Sequence, residues 1–416
     1  MDLRTGQPYW PLLNGLLYTY PPVTADEQAD VAVLGAGITG ALVAHRLATA
    51  GLNVVVVDRH DVGLGSTAAS TALLQYETDT PLGDLITRRG TQDAVRAWQM
   101  GLDAISTIES LLPSLGDDCD FRRRRSLYFA GSESDVDALR AEYDTRLRHG
   151  FNVQWLDGSA LADAYAFRRP AAIASEGDAE LDVYRLTHAL LQRAIAAGAR
   201  VYDRTHVTKA SVDADGVVLE TARGPRVRAR QLVCAAGYQT AEYLGRRAGA
   251  LHSTWAFVSE PVGAIAGWDD DSLVWETSRP YVYLRRTRDG RVIMGGEDEP
   301  FKGRHKGAGT LQRKTERLVE RFGDLLPGVA LEPAFSWAGI FGTTHDGLPF
   351  IGQVPDWPST WFALGYGGNG ITFSTIAAGI LQQLVQGRPH PDAHLFRFGR
   401  GRGLVRRALA AMPGMS

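Results

Sequence analysis

The residues with the clearest chemical meaning are three glycines and one aspartate near the N-terminus. Gly35, Gly37 and Gly40 form the pattern G-x-G-x-x-G, and Asp58 follows 18 residues after the third glycine. An apolar run precedes the glycines, a segment with apolar residues at helical spacing follows them, and a second apolar run, 54–57, ends at the aspartate. This order of strand, glycine turn, helix, strand and acid predicts a dinucleotide-binding unit.

Each of these residues has a physical task in such a unit. Gly35 allows the tight turn, Gly37 lets the backbone approach a pyrophosphate, and Gly40 lets helix and strand pack closely. The start of the helix offers free N–H groups and a partial positive charge to the phosphates. Asp58 can accept hydrogen bonds from the ribose hydroxyls and would repel a 2′-phosphate, which argues against NADP. Arg59 is expected to be solvated or to face the pyrophosphate.

A loop of small residues at 63–70 favours FAD over NAD as the expected dinucleotide. Its backbone amides and hydroxyls, including those of Ser66, Thr67 and Ser70, could closely approach a second phosphate and an isoalloxazine ring. A simple nicotinamide dehydrogenase has no need for such a loop at this place. A flexible surface loop is the alternative interpretation.

Two later segments also predict contacts with a flavin. Residues 231–237 read as a strand that ends in small residues, as strands do where they meet a cofactor crevice. Residues 365–370 form a glycine-rich turn before a long helical segment, whose N-terminus would stabilise negative charge on a reduced flavin. An ordinary helix start with turn glycines is the alternative. Cys234 is interpreted as a small buried apolar residue.

Composition places the chain among ordinary globular proteins and excludes several classes. Its 416 residues suggest two or three domains, and a net charge of −3 gives no general attraction to nucleic acid or anionic membranes. No apolar run is long enough for a membrane span, and the N-terminus does not resemble a signal peptide. Two distant cysteines fit a reducing compartment, so a cytoplasmic location is expected. The ten histidines show no metal-ligand spacing.

Together these segments resemble the D-amino-acid oxidase-like (DAO) family of FAD-dependent oxidoreductases, which includes glycine oxidase and sarcosine oxidase. The resemblance covers roughly residues 28–390. The segments that carry it are VAVLGAGITG with Asp58, GSTAAS, LDVYRLTHAL followed by GA, VCAAGY, WAGIFGTTHDGLPFIG and GYGGNGITFS.

The resemblance implies an α/β fold (α+β overall), with a Rossmann-type FAD-binding domain and a mixed-sheet substrate domain. Alternating apolar and polar residues around Asp289-Gly290 also predict a β-hairpin in the substrate domain. The expected segments are an N-terminal arm at 1–27, FAD-binding segments at 28–84, 176–244 and 336–395, substrate segments at 85–175 and 245–335, and a basic tail at 396–416.

The chemistry implied is oxidation of a C–N bond of a small amine or amino acid by hydride transfer to flavin N5, after which water hydrolyses the imine. Electrons would then pass to O2 or to an unknown carrier. A related enzyme acting on a 2-hydroxy acid or another C–OH substrate is an alternative, and a non-catalytic flavin-binding subunit is another. The sequence predicts no nucleic-acid partner and leaves the oligomeric state unknown.

The motifs and the resemblance together give a set of expected FAD contacts. The segment AGIFGTT has no cysteine at the place where sarcosine oxidase-like members attach flavin, so FAD is expected to be non-covalent. The expected contacts are Gly35, Gly37, Ile38, Thr39, Gly40, Asp58, Arg59, Gly65, Ser66, Thr67, Ala69, Ser70, Val207, Ala235, Ala236, Gly237, Gly342, Asp346, Gly367, Gly368, Asn369, Gly370, Ile371 and Thr372.

The chain departs from the family at the substrate carboxylate. Glycine oxidase-like members hold it with an arginine where this chain has Phe341, and a second position that is basic in some relatives has no basic residue within 368–372. Tyr283 and Arg285, on the predicted hairpin, are candidate substrate contacts, although Arg285 could equally be an ordinary strand residue. Glu77 would favour a cationic amine if it faces the cavity, and is otherwise a structural carboxylate.

Two further features are interpreted as structural. His345 and Asp346 resemble an acid–base pair, but the resemblance makes residues 346–349 a turn beside the flavin. The arginine-rich tail is expected to be solvated or to pack against a subunit rather than to bind an anionic partner.

Overall fold

The computed structural model describes residues 4–240, 249–268, 271–303 and 307–400. In the first part of the chain the elements are β1 (Arg4–Gly6), α1 (Tyr9–Asn14), β2 (Glu27–Leu34), α2 (Ile38–Thr49), β3 (Val54–Val57), α3 (Ser66–Ala69), β4 (Leu73–Leu74), α4 (Leu82–Arg89) and α5 (Thr91–Leu115). The middle part contains β5 (Arg122–Phe129), α6 (Val136–Arg148), β6 (Val153–Asp157), α7 (Gly158–Ala164), β7 (Ala171–Glu180), α8 (Val183–Ala196), β8 (Arg200–Tyr202), β9 (Val207–Asp213), β10 (Gly216–Thr221) and β11 (Arg226–Cys234). The last part contains β12 (Ala250–Ser259), β13 (Leu273–Glu276), β14 (Val282–Arg286), β15 (Val292–Pro300), α9 (Ala308–Leu325), β16 (Pro333–Thr343), β17 (Phe350–Gln353), β18 (Thr360–Leu364), α10 (Gly370–Val385) and α11 (Ala393–Phe396).

The smaller sheet carries the predicted dinucleotide unit. Its strand order is β17-β18-β11-β2-β3-β8, with β10 paired to β11 and β9 to β10. The pairs β2–β3, β3–β8, β2–β11 and β11–β18 are parallel, and Val54–Val57 is buried along its whole length. A parallel sheet covered on both faces needs such continuous apolar strands. The fold class predicted from the sequence is therefore confirmed.

The larger sheet is mixed. Its order is β1-β16-β12-β15-β14-β13-β5-β7-β4, and β6 pairs with β7. β13 and β5 run parallel, whereas the other pairs in this sheet are antiparallel. The predicted hairpin is present: β14 and β15 pair from Val282–Gly296 to Arg286–Val292, and Gly290 in the connecting turn has a φ of +79°. Glycine adopts this left-handed conformation without strain.

The strands of the two sheets can be compared with the predicted domain segments. Strands from 27–57, 200–234 and 350–364 form the smaller sheet, and the remaining strands form the larger one. β7 crosses the predicted boundary at 175/176, and β16 begins at Pro333, before the predicted start of the third FAD segment. Exact domain boundaries stay a prediction.

The N-terminal arm packs on the loop that was predicted to contact the flavin. β1 forms the edge of the larger sheet beside β16. The indole Nε1 of Trp10 donates to the carbonyl of Ser70 at 2.6 Å, and Nε of Arg4 donates to the carbonyl of Leu64 at 2.6 Å. Trp10 is buried. The arm therefore fixes both ends of the loop 64–70.

Two negative findings concern the described part of the chain. No helix there combines the length and apolar character needed to cross a bilayer. No group of three or more His, Cys, Asp or Glu residues in the same ranges is arranged to hold a metal ion. Most of the predicted basic tail, 401–416, lies outside the described residues.

We expect Trp10→Ala to destabilise the protein and to weaken FAD binding. Removing a buried tryptophan costs about 3–5 kcal/mol of unfolding free energy, and the loop at Ser70 loses its hydrogen-bond donor. Thermal unfolding of the FAD-loaded protein and titration of the apoprotein with FAD would measure both effects. Leu13→Ala is the matched control, because Leu13 lies on the same arm and is 48% exposed. Equal behaviour of the two variants would contradict the role given to the arm.

Candidate active site

A cavity of about 550 Å³ is lined by residues from both sheets. Leu34 and Val57 of the smaller sheet border one part, and Thr254 and Tyr283 of the larger sheet border another. The carboxyl ends of β2, β3, β11 and β18 all meet this cavity, as expected for ligand sites of parallel sheets.

The glycine turn fits closely against its neighbours. Gly35 has a φ of +106°, and a Cβ there would lie 2.5 Å from the carbonyl oxygen of Ala235. A Cβ on Gly40 would lie 1.8 Å from the carbonyl oxygen of Gly35. A Cβ on Gly37 would lie 2.9 Å from Oγ1 of Thr67. Because no side chain fits at these positions, the backbone of 35–39 is left open to the cavity.

Asp58 holds the turn and also borders the cavity. Its Oδ2 accepts the N–H of Ala36 at 2.7 Å, and its Oδ1 accepts the N–H of His60 at 2.9 Å. Burial raises the pKa of Asp58, and these two backbone donors oppose that effect. The carboxylate is therefore fixed beside the cavity, where it can accept further hydrogen bonds from ribose hydroxyls.

The predicted flavin loop forms a short helix, α3, that contacts the start of α2 and the larger sheet. Oγ1 of Thr67 accepts the N–H of Ile38 at 3.0 Å, which ties the loop to the start of α2. Nε1 of Trp337 donates to the carbonyl of Ala69 at 2.8 Å, which ties the loop to β16. The hydroxyl of Ser66 is buried and has no hydrogen-bond partner within the described residues.

The glycine-rich turn before α10 is held against the segment 75–77. Nδ2 of Asn369 donates to the carbonyls of Gln75 and Glu77 at 3.0 and 2.8 Å, and the hydroxyl of Thr372 donates to the carbonyl of Gln75 at 3.1 Å. The N–H of Gly367 donates to the carbonyl of Gly342 at 3.0 Å. The N-terminal end of a 16-residue helix thus faces the cavity.

Most of the predicted FAD contacts border this cavity. Those that do are Gly35, Gly37, Ile38, Thr39, Asp58, Arg59, Gly65, Ser66, Thr67, Ala69, Ser70, Val207, Ala235, Ala236, Gly237, Gly367, Gly368, Asn369, Gly370 and Ile371.

Four predicted contacts do not border it, and each has another role. Gly40 packs on Gly35, as its predicted task in helix packing requires. Gly342 and Thr372 hold the turn before α10 by the hydrogen bonds described above.

Asp346 is the fourth, and here the prediction is corrected. Its two carboxylate oxygens accept from Nε and Nη2 of Arg400 at 2.9 and 3.0 Å, and both side chains are buried. The predicted turn at 346–349 exists, but its aspartate forms an ion pair with the end of the described chain. His345 lies 3.8 Å from the same carboxylate and does not border the cavity.

The residues that border the cavity fit FAD. The glycine turn and the start of α2 would hold the pyrophosphate, Asp58 would hold the adenosine ribose, and α3 with the turn before α10 would contact the flavin. The unpartnered Ser66 hydroxyl is a polar group available to such a ligand, and so is the buried Nε2 of Gln75, which also has no partner in the described ranges.

Tyr283 and Phe341, two of the predicted substrate contacts, border the opposite end of the cavity. Phe341 stacks on His252 with ring centroids 5.3 Å apart. Burial raises the pKa of Tyr283, so its phenol stays neutral at physiological pH. Both residues give this end an aromatic wall.

The structure corrects the prediction for Arg285, which does not border the cavity. Its Nε donates to the carbonyl of Thr71 at 2.8 Å, and its Nη1 donates to Oε2 of Glu180 at 3.0 Å. Its guanidinium also lies 5.4 Å from the ring of Trp10. Arg285 lies on the same strand face as Tyr283. Its guanidinium is paired with the buried carboxylate of Glu180, so it is not free to bind a substrate carboxylate.

Glu77 borders the cavity, but its carboxylate is engaged in the protein interior. Oε1 of Glu77 accepts from the hydroxyl of Ser126 at 2.9 Å and lies 3.5 Å from Nη1 of Arg146. Burial and the neighbouring Glu77 raise the pKa of Asp178 well above its ordinary value. The geometry of Glu77 therefore fits the second interpretation of this residue, a structural carboxylate.

Sequence reasoning missed Asp79, Trp275 and Tyr281, which all border the cavity. Arg279, which precedes the predicted hairpin and could serve as a further carboxylate anchor, borders it as well. Oδ2 of Asp79 accepts the N–H of Gly368 at 2.8 Å. The signal was present in the sequence, because Asp79 is the second acid of the segment that also contains Glu77.

Comparisons with known proteins agree with this geometry. The chain is 28% identical over 374 residues to a glycine oxidase of Geobacillus kaustophilus (strain HTA426), covering 86% of this chain and 93% of the relative. The crystal structure of glycine oxidase from Geobacillus kaustophilus superposes with a TM-score of 0.77 at 23% identity, covering 90% and 99% of the two chains. L-proline dehydrogenase from P. horikoshii superposes with a TM-score of 0.74 at 18% identity, covering 90% and 99%.

The sequence model described as FAD dependent oxidoreductase (DAO) matches residues 30–384, which is most of the chain. The resemblance inferred from the motifs is thereby confirmed, and the cofactor is FAD. The chain belongs to the DAO family of FAD-dependent oxidoreductases.

Proposed function

We propose that this oxidoreductase oxidises a C–N bond of a small amine or amino acid. The substrate carbon gives up a hydride and the nitrogen loses a proton, which leaves a C=N bond that water then hydrolyses to a carbonyl compound and ammonia or a smaller amine. When bound, FAD supplies the acceptor for the hydride. The two electrons pass on to dioxygen or to another electron carrier.

The observation that carries the proposal is the continuity of one cavity. It runs from the glycine turn at Gly35 to an aromatic end with Trp275, Tyr281, Tyr283 and Phe341. A small substrate at that end would share one continuous space with the cofactor. The names of the relatives support the choice of a C–N bond, since glycine oxidase and L-proline dehydrogenase are named for amino acids with an oxidisable C–N bond.

The protein's own groups would orient and stabilise the reacting atoms. The neutral phenol of Tyr283 can donate one hydrogen bond, and the aromatic wall around it limits access of water. The N-terminus of α10 favours negative charge that develops at its end of the cavity. Asp79 supplies an acceptor for a proton or for an ammonium group.

We also propose that FAD is bound without a covalent bond to cysteine. The two cysteines, Cys119 and Cys234, are buried, and neither borders the cavity.

We expect small amines or amino acids to bleach the flavin under anaerobic conditions. Hydride transfer from the C–N carbon removes the oxidised flavin absorbance near its visible maximum, which a spectrophotometer follows directly. Admitting air and measuring ammonia, a smaller amine and the carbonyl product would complete the balance. Bleaching by 2-hydroxy acids alone, with a keto acid and no nitrogen product, would point instead to C–OH oxidation. No bleaching by either class would favour a non-catalytic flavin protein.

We expect Asp58→Ala to weaken FAD binding about 10- to 100-fold. The variant loses charge-assisted hydrogen bonds worth about 1.5–3 kcal/mol each and frees the N–H of Ala36 in the glycine turn. Titration of the apoprotein with FAD measures the change. Asp84→Ala, at an exposed position of α4, is the control. In both variants, acid precipitation should leave all of the flavin in the supernatant, and flavin retained in the pellet would rule out the non-covalent mode.

A further inference from the structure

We infer that Asp79 binds a cationic group of the substrate, so that the preferred substrate is an amine with a second positive charge, a diamine or polyamine, rather than an α-amino acid. The inference rests on the proposed amine oxidation and names its substrate class. Asp79 borders the cavity at the end that also contains Tyr281 and Tyr283.

The carboxylate of Asp79 and the turn before α10 are built around each other. Its Oδ2 accepts the N–H of Gly368 at 2.8 Å. A Cβ on Gly367 would lie 2.5 Å from Oδ2, and a Cβ on Gly368 would lie 2.9 Å from Oδ1. A side chain at either glycine would therefore displace the carboxylate. No basic residue lies within 368–372, and the carboxyl group of Asp79 lies at this turn instead. Burial raises the pKa of Asp79, and the N–H of Gly368 and the charge of Arg279 oppose that effect, so an adjacent ammonium group would stabilise the ionised form of Asp79.

Asp79 takes part in no ion pair within the described residues. Among the described residues, the cation with the largest electrostatic effect on Asp79 is Arg279, which is exposed and borders the cavity. Nη1 of Arg279 donates to the carbonyls of Thr277 and Ser278 at 3.2 and 3.0 Å, and its guanidinium lies 5.1 Å from the ring of Tyr281.

The other titratable groups near Asp79 do not add positive charge. Burial lowers the pKa of His252, so this imidazole is neutral at physiological pH. The phenols of Tyr238 and Tyr281 are neutral as well, because burial raises the pKa of each.

A second carboxyl group, that of Asp298, interacts electrostatically with Asp79. Burial and the charge of Asp79 raise the pKa of Asp298 to about 7, whereas the charges of Lys314 and Arg279 oppose this shift. Oδ1 of Asp298 is buried and has no hydrogen-bond partner in the part of the chain that is described, and Asp298 does not itself border the cavity. An ammonium group beside Asp79 would relieve the repulsion between the acids.

The remaining wall suits the carbon chain of such a substrate. Phe341 packs on the neutral His252. Aromatic faces at Tyr281 and Tyr283 can contact methylene groups and also attract an ammonium group. No described basic side chain other than Arg279 is placed at this end to receive a carboxylate.

We expect the wild-type protein to oxidise 1,4-diaminobutane at least about 10-fold more efficiently than butylamine, as judged by kcat/KM. Only the diamine carries a second ammonium group, and a charge-assisted hydrogen bond contributes about 1.5–3 kcal/mol, or about 10- to 100-fold. Asp79→Asn should lower the ratio of kcat/KM for the diamine to kcat/KM for butylamine about 10- to 100-fold, whatever rate the two substrates lose in common. Asp137→Asn, at an exposed position of α6, should alter neither substrate.

The outcomes separate this inference from the function on which it rests. If glycine, sarcosine or L-proline is preferred to the diamine, and Arg279→Gln removes that preference, then Arg279 is a carboxylate anchor and the inference is wrong while amine oxidation stands. If no amine bleaches the wild-type flavin, the proposed function fails as well. The wild-type comparison of diamine and butylamine decides the inference even if Asp79→Asn loses FAD, which its flavin absorbance would reveal.

Discussion

The close backbone packing around Gly35 is the constraint on which the cavity depends. Gly40 must approach the Gly35 carbonyl, and Gly35 must approach the end of β11 at Ala235. Any side chain at these points would separate α2 from the strands and turn its N-terminus away from the cavity. Asp58 then fixes the turn from the next strand. The helix N-terminus and the acid thus border the same cavity from two sides, as the binding of a dinucleotide without a 2′-phosphate requires.

Buried ion pairs behind the cavity explain why several charged residues are structural. Glu180 is bound by Arg124 and Arg285, and Glu77 lies with Arg146, Asp178 and Ser126. A buried charge without a partner is costly, and removing one partner of such a pair destabilises a protein by about 3–5 kcal/mol. The charges of these groups are therefore committed to the fold, and they hold β5, β7 and β14 in place behind the aromatic wall.

Local sequence patterns were sufficient for the fold and for most of the FAD contacts, because those contacts come from backbone turns and small residues close together in the chain. The glycine turn, α3 and the turn before α10 can each be recognised from a short stretch of consecutive residues. The partners of charged side chains could not be predicted in this way. Arg285 pairs with a residue 105 positions away, and Asp79 contacts a glycine 289 positions away. No local periodicity carries such information, so Arg285 and Asp346 were assigned to the site, while Asp79 was missed.

The substrate end differs from the cofactor end in how its polar groups are satisfied. At the cofactor end, the turns are held in place by hydrogen bonds such as those from the N–H of Ala36 to Asp58 and from the N–H of Ile38 to Thr67, and the groups without partners there are neutral ones, the Ser66 hydroxyl and Nε2 of Gln75. At Asp79, one carboxylate accepts a single backbone N–H and interacts electrostatically with a second acid, Asp298. Such an arrangement carries an electrostatic cost that a cationic ligand removes, and the same arrangement repels a carboxylate. Discrimination between two ligands is the difference of their binding free energies. Here the same two acids favour the binding of a cationic ligand and disfavour the binding of a carboxylate. Because Gly367 and Gly368 leave room for Asp79 only by lacking side chains, the charge at this turn cannot be reversed by a single substitution at either glycine without also displacing the aspartate.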